Sequence, residues 1–134
     1  YLPVGDTDSE HVFCWLLSEL RTAFPKPPSD KSAVRYFLQQ HCQYLKTLGV
    51  FNMLLSDGDH LYCFCSTKLS WITRKAPFGQ ASLSDADVNV DFGEETTPND
   101  VVSVVATQPL TDNETWHTML PGDMLVLHKG VALS

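Results

Sequence analysis

Leu61-Tyr62-Cys63-Phe64-Cys65 is the stretch on which the reading of the fold turns. At a period of two, Leu61, Cys63 and Cys65 fall on one face of a strand and Tyr62 and Phe64 on the other. A half-buried surface strand alternates apolar with polar residues. This one has no wet face, so it belongs to a sheet covered on both sides. That places the chain among layered architectures, in which sheets lie between other layers.

Upstream, Val50 to Ser56 is a second short apolar run, joined to Leu61 to Ser66 by Asp57-Gly58-Asp59. The Asp-Gly step is a hairpin signal, because glycine accepts the positive φ that a tight turn requires. Before Val50 the periodicity is helical. Val12, Phe13, Leu16, Leu17, Leu20 and Phe24 recur at helical spacing until Pro25, Pro27 and Pro28 stop the helix. Ser29 is placed to cap a second helix, whose stripe is Ala33, Val34, Phe37, Leu38, His41, Leu45 and Leu48; Gly49 ends it with a positive φ. The proline-rich step between the two reads as a tight helix-to-helix connection.

Downstream, Leu69 to Arg74 is a third strand, with Trp71 and Thr73 on one side and Ser70, Ile72 and Arg74 on the other, and Lys75 to Gly79 turns the chain. Val88, Val90 and Phe92 alternate with Asp87, Asn89 and Asp91, as in an edge strand with one charged face. Thr97-Pro98-Asn99-Asp100 is a turn, and Val101 to Ala106, apolar on both faces, is expected in a central position. Thr111 and Glu114 have capping-box spacing for a short helix carrying Trp116, Met119 and Leu120. Pro121-Gly122-Asp123 then turns into a last strand, Met124 to His128. The whole reads as α+β. No repeat, low-complexity tract or linker divides it.

At 134 residues the chain has the length of one domain, and its formal net charge of -7 argues against phosphate-driven binding of nucleic acid or anionic membrane. No apolar run approaches a bilayer span, and no export signal is visible, so a cytoplasmic setting is expected. Cys14, Cys42, Cys63 and Cys65 contain no CxxC pair, and Cys63 and Cys65 project from one face of one strand. They read as free thiols in a reducing compartment. His41 and Cys42 are adjacent on a helix and point apart, which makes a poor ligand pair. Asp85-Ala86-Asp87-Val88-Asn89 imitates the opening of a calcium loop, but Val90 stands where a glycine is needed and Thr96 where a bidentate glutamate is needed. No metal and no cofactor is expected.

The remaining chemistry lies near the start. Thr7 and Glu10 form a capping box, in which the threonine hydroxyl takes one orphan amide and the glutamate reaches back to another. Asp8 then sits in the first helical turn, where free amides and the helix dipole favour a carboxylate. It is an anion of fixed direction, able to receive an ammonium group or simply to neutralise its own helix. His11 and Cys14, three apart on this helix, could serve as base and nucleophile, but their large hydrophobic neighbours make them packing residues.

Asp6-Thr7-Asp8-Ser9-Glu10 running into Phe13-Cys14-Trp15-Leu16-Leu17 resembles the start of the first long helix after the catalytic loops of class II glutamine amidotransferases, in particular the compact bacterial YafJ-type subgroup. Gly49 to Gly58, Cys65-Ser66-Thr67, Trp71 to Arg74, Ala76 to Gly79, Thr97 to Val102 and Ala106 to Trp116 resemble the same family, so the likeness covers nearly the whole chain. It implies an N-terminal-nucleophile hydrolase αββα sandwich, two stacked antiparallel sheets between helical layers, acting as a glutaminase. It also implies that Asp8 holds the substrate's α-amino group. The family's cysteine nucleophile, its carboxylate-gripping arginine and Thr-His-Pro segment, and its oxyanion Asn-Gly are all expected upstream of Tyr1. On that reading residues 1–134 are the C-terminal portion of a single amidotransferase domain, with no catalytic residue of their own and no activity alone. The implied partners are glutamine or a γ-glutamyl substrate, and a preceding segment or second chain. Self-association through unpaired sheet edges is a further expectation. Two alternatives stay open: hydrolysis of γ-glutamyl peptides such as glutathione, and a non-catalytic scaffold.

Overall fold

Thr7 caps the first helix, as its spacing to Glu10 predicts. In the computed structural model, which describes residues 1–76, 80–82, 89–91 and 100–133, Thr7 has extended backbone and its hydroxyl accepts the Glu10 N–H at 3.3 Å. Helix α1 (Asp8–Ala23) follows and ends at Phe24, whose N–H donates to the Leu20 carbonyl just before Pro25. Helix α2 (Lys31–Leu48) is capped by Asp30 rather than Ser29, the Asp30 Oδ1 accepting the Ser32 N–H at 2.9 Å. A carboxylate answers the positive helix end better than a hydroxyl does, and the Ser32 side chain, followed by this amide, lowers the Asp30 pKa. Gly49 does not take the left-handed conformation expected of it; the positive-φ glycines are Gly58, Gly122 and Gly130.

The chain divides into two compact units, Tyr1–Leu48 and Gly49–Ser134. In the helical unit the buried apolar positions are Leu16 of α1 and Val34, Leu38, Cys42 and Leu45 of α2. This stripe is narrower than the apolar pattern, for Phe13 and Leu48 are 46% and 68% exposed. The helices meet through rings. Phe24 meets Phe37 edge-on at 5.7 Å, and Trp15 lies against His41 and Tyr44 at 5.5 and 5.9 Å.

The second unit holds β1 (Met53–Ser56), β2 (His60–Phe64), β3 (Leu69–Lys75), β4 (Gln80–Ser82), β5 (Asn89–Asp91), β6 (Val101–Ala106), β7 (His117–Met119), β8 (Met124–His128) and β9 (Val131–Leu133). All pairings are antiparallel, in sheets ordered β1-β2-β8-β9, β6-β3-β7 and β4-β5. Strand β2 is interior as predicted: it pairs with β1 and β8, and Tyr62, Cys63 and Phe64 are at most 1% exposed. Cys63, Leu125 and Leu127 of the four-stranded sheet share one core with Leu69 and Met119 of the three-stranded sheet, and Cys65 joins them. Two sheets therefore pack face to face, each buried Leu or Met contributing roughly 1.5–3 kcal/mol. Two helices with antiparallel sheets make the fold α+β.

The β1-β2 hairpin turns at Asp57-Gly58-Asp59, where the Asp57 carboxylate accepts the N–H groups of Asp59 and His60 at 2.9 and 2.7 Å and Gly58 has φ 90°. Pro121-Gly122 forms the predicted turn, closed by the Asp123 N–H on the Leu120 carbonyl at 3.0 Å, with Gly122 at φ 95°. Three local readings are corrected. Val101–Ala106 has only β3 as a strand partner among the described residues, so it is an edge of its sheet and β3 is the centre. No helix follows Thr111; residues His117–Met119 are strand β7. Met124–His128 is not last, because Lys129 and Gly130, at φ 50° and 77°, reverse the chain into β9. The turn at 77–79, the edge-strand residues Val88 and Phe92, the turn residues 97–99 and the calcium-like pattern from Asp85 to Thr96, apart from the Asn89–Asp91 backbone, lie outside the described residues.

Asn52 and Glu114 hold this frame through side chains. Asn52 Oδ1 accepts the Ser66 and Thr67 N–H groups at 2.8 and 3.2 Å, while its Nδ2 donates to Thr67 Oγ1 at 3.1 Å. Arg74 grips Glu114 with Nε and Nη2 at 2.8 and 2.6 Å, Thr111 donates to Glu114 Oε1, and the Trp116 indole N–H donates to Thr111. That clasp occupies the two residues read as a capping box. Asn52→Ala leaves the Ser66 amide unpaired and should cost about 1–3 kcal/mol in denaturant unfolding, whereas Asn52→Asp, which keeps the acceptor, should cost less. The Arg74 hydrogen bond lowers the Glu114 pKa below its ordinary 4.5. Its stabilisation is therefore complete above the unfolded value and lost as pH falls through the lower folded one. The stability gap between the native protein and Glu114→Gln should accordingly be present at pH 7 and close below pH 4.5.

Candidate functional site

Asp8 is the first residue of α1 and is exposed. Its position follows from the cap: Thr7 starts the helix, so the next side chain stands among the unsatisfied amides of the first turn. Ahead of it, the loop is tied down by Glu10, though not in the way a capping box predicts. Glu10 Oε1 accepts the Val4 N–H at 2.7 Å, and its two oxygens accept the Gly5 N–H at 3.0 and 2.9 Å. The glutamate thus reaches past Thr7 to the two preceding amides. A Cβ at residue 5 would run into Glu10 Oε2, which is why glycine fits there. The Gly5 and Val4 N–H groups hold the Glu10 carboxyl below its usual range.

Two carboxylates two residues apart therefore have different roles. Glu10 spends its acceptors on the loop, while Asp8 keeps its own for solvent or a cationic partner. Asp8 makes no side-chain contact with Glu10's loop partners. An exposed carboxylate of this kind is chemically suited to a small cation such as an ammonium group.

The other sequence candidates are not brought together into a reacting set. His11 is exposed and Cys14 half-buried. His41 is a structural histidine: Nδ1 lies 2.9 Å from the Phe37 carbonyl, Nε2 3.7 Å from Glu19, and its ring stacks on Phe37 at 3.8 Å. None of the four cysteines is in a disulfide, and burial pushes the Cys42 and Cys63 thiols up to about 12. Neither is a thiolate at neutral pH. Glu114 and Trp116 are held by Arg74 and Thr111 as described, which accounts for both without a ligand. Among the described residues no helix is long and apolar enough to cross a membrane.

Comparison with known proteins shows the family. The family model of class-II glutamine amidotransferases matches residues 1–134, and the chain belongs to that family. It is 54% identical over 123 residues to YafJ of Escherichia coli K12, a glutamine amidotransferase candidate, covering 92% of this chain and 48% of that protein. A similarly described protein of Haemophilus influenzae is 38% identical over 128 residues, covering 96% of this chain and 43% of its own length. The crystal structure of a predicted glutamine amidotransferase from Pseudomonas aeruginosa PA01 superposes with a TM-score of 0.88 at 51% identity, covering 100% of this chain and 53% of that one. The chain thus spans about half the length of the relatives it matches.

The Glu10 clasp has a direct readout. In a pH titration followed by NMR, the Val4 and Gly5 amide signals should move with a single ionisation below the ordinary carboxylate value of 4.5, and Glu10→Ala should abolish the transition. An unchanged transition in that variant would assign it to another carboxylate.

Proposed function

We propose that the protein to which this chain belongs is a glutaminase-type amidotransferase, converting glutamine and water to glutamate and ammonia, and that Asp8 receives the α-ammonium group of the substrate. The observation that carries the reading is the class-II amidotransferase match over all 134 residues. The exposed Asp8 carboxylate at the start of α1 supports the residue assignment.

On this reading the bond-breaking groups belong to the part of the relatives' length that these residues do not cover, and residues 1–134 are part of a single amidotransferase domain. A cysteine thiolate attacks the amide carbon, an amine carries the proton to the leaving nitrogen, and water then releases glutamate from the γ-glutamyl thioester. The high thiol pKa values of Cys42 and Cys63 agree with a nucleophile located elsewhere. Asp8 forms and breaks no bond. Its contribution is selection: a charge-assisted contact to this carboxylate favours a free α-amino acid over a plain amide. The four free cysteines fit a reducing, cytoplasmic setting.

Asp8→Asn in the full-length protein should raise KM for glutamine by about 10- to 100-fold, with much less effect on hydrolysis of a small amide that lacks an α-amino group. Equal losses on both substrates would remove Asp8 from substrate recognition. Assaying glutathione beside glutamine distinguishes the amide substrate from a γ-glutamyl peptide, which presents the same ammonium handle. Absence of turnover on both, in a folded full-length protein, would refute the hydrolase reading.

A further inference from the structure

Beyond the amidotransferase reading, a second cluster lies in the strand unit. His60 and His128 are directly opposed partners of the β2-β8 pairing, so their side chains leave the same face of the sheet side by side. Their rings stack with centroids 4.5 Å apart. Asp59, the residue before His60, lies in the hairpin turn, and its carboxylate bends over the pair. Its Oδ2 is 3.0 Å from His60 Nδ1 and its Oδ1 3.5 Å from His128 Nδ1. One ligand atom from each of the three residues lies within 4.8 Å of the others.

The geometry points to a binding site for a divalent transition-metal ion of the zinc class, held by Asp59, His60 and His128. The donor set, two imidazoles and one carboxylate, is what such ions take, and a hard oxygen-seeking ion would not choose it. Ligands about 2.0–2.2 Å from a tetrahedral metal are about 3.3–3.6 Å apart; the Asp59–His128 separation of 3.5 Å matches, and the Asp59–His60 separation of 3.0 Å opens by a few tenths on binding. A second observation concerns His60 alone. Its side chain is only 10% exposed, yet Nδ1 has no hydrogen-bond partner, because the nearby Asp59 oxygen is not aligned with it. A buried ring nitrogen without a hydrogen bond is costly, and a metal ion would satisfy it.

The surroundings suit a bound ion. The hairpin turn is already fixed by the Asp57 carboxylate on the Asp59 and His60 amides, so two ligands are held on ordered backbone. His128 Nδ1 lies 3.1 Å from the Asp59 carbonyl, a contact it exchanges for the metal on coordinating through that nitrogen. The Asp59 side chain is 57% exposed, so the set opens to solvent on the carboxylate side. A recess of ≈ 230 Å³ beside Asp59 and His60, bordered by Ser56, Ser103 and Lys129, gives solvent access to a fourth coordination position. The ion would fasten the β1-β2 turn to the end of β8, which is a structural role independent of glutamine chemistry.

Untagged full-length protein titrated with Co²⁺ should bind one equivalent with the visible d–d absorption of a four-coordinate ion, and Zn²⁺ should displace it. Asp59→Asn and His128→Gln, each checked for native circular dichroism, should weaken Co²⁺ binding at least about tenfold, and His11→Gln should not. Saturating Zn²⁺ should raise Tm in the native protein and not in His128→Gln. No d–d absorption, absorption unchanged in both ligand variants, or thiolate-to-cobalt charge transfer marking a cysteine site would each overturn the assignment. Since none of these readouts uses turnover, failure here leaves the glutaminase reading intact, and loss of glutaminase activity leaves this one intact.

Discussion

A strand with no wet face has to be paired on both edges and covered on both sides, and β2 imposes that requirement on the strand unit. Its neighbours β1 and β8 satisfy its backbone, and Met124, Leu125, Val126 and Leu127 of β8 are buried as well. One side of this pair meets Leu69 and Met119 of the other sheet in a shared core. The turns that make the packing possible are chemically specific. Asp57 supplies acceptors for the β1-β2 turn, Gly122 and Gly130 supply positive φ, and Asn52 pairs the amides where the chain leaves β2. At Gly130 any Cβ would also strike the Val101 carbonyl, which joins the β8-β9 turn to the edge of the second sheet. Ser103 reinforces the same junction through its hydrogen bond to the Gly130 carbonyl at 2.7 Å.

Charge is used differently in the helical unit. Asp8, Glu10 and Asp30 all stand at helix starts, where the dipole and unpaired amides favour anions. Asp30 and Glu10 spend that advantage on backbone amides. Asp8 does not, and its carboxylate is exposed at the helix start. The order around it comes from Glu10, which holds the upstream loop and leaves its neighbour open.

Two local signals are overridden by partners from elsewhere in the chain. Thr111 and Glu114 have the spacing of a capping box, but Arg74, 40 residues away, binds Glu114 in a two-pronged ion pair and no helix forms. A local motif competes with a charged partner that it cannot sense, and a bidentate guanidinium wins over a backbone amide. Val101–Ala106 looks central because both faces are apolar, yet strand position depends on which neighbours arrive, and only β3 does so among the described residues. The β8-β9 hairpin was illegible for another reason: Lys129 takes a positive φ that its residue type does not advertise.

The amino-acid sequence by itself determined the two helices, the Asp-Gly and Pro-Gly turns, the double burial of β2 and the placement of Asp8 in a first helical turn. These depend on periodicity, capping and φ preferences that act over a few residues, so they survive whatever the rest of the chain does. Tertiary structure alone decided the sheet orders, the Arg74–Glu114 clasp and the meeting of Asp59 and His60 with His128. Those pairs are 40 and 68 residues apart, and nothing local to either end encodes a contact that exists only after β2 and β8 have found their register.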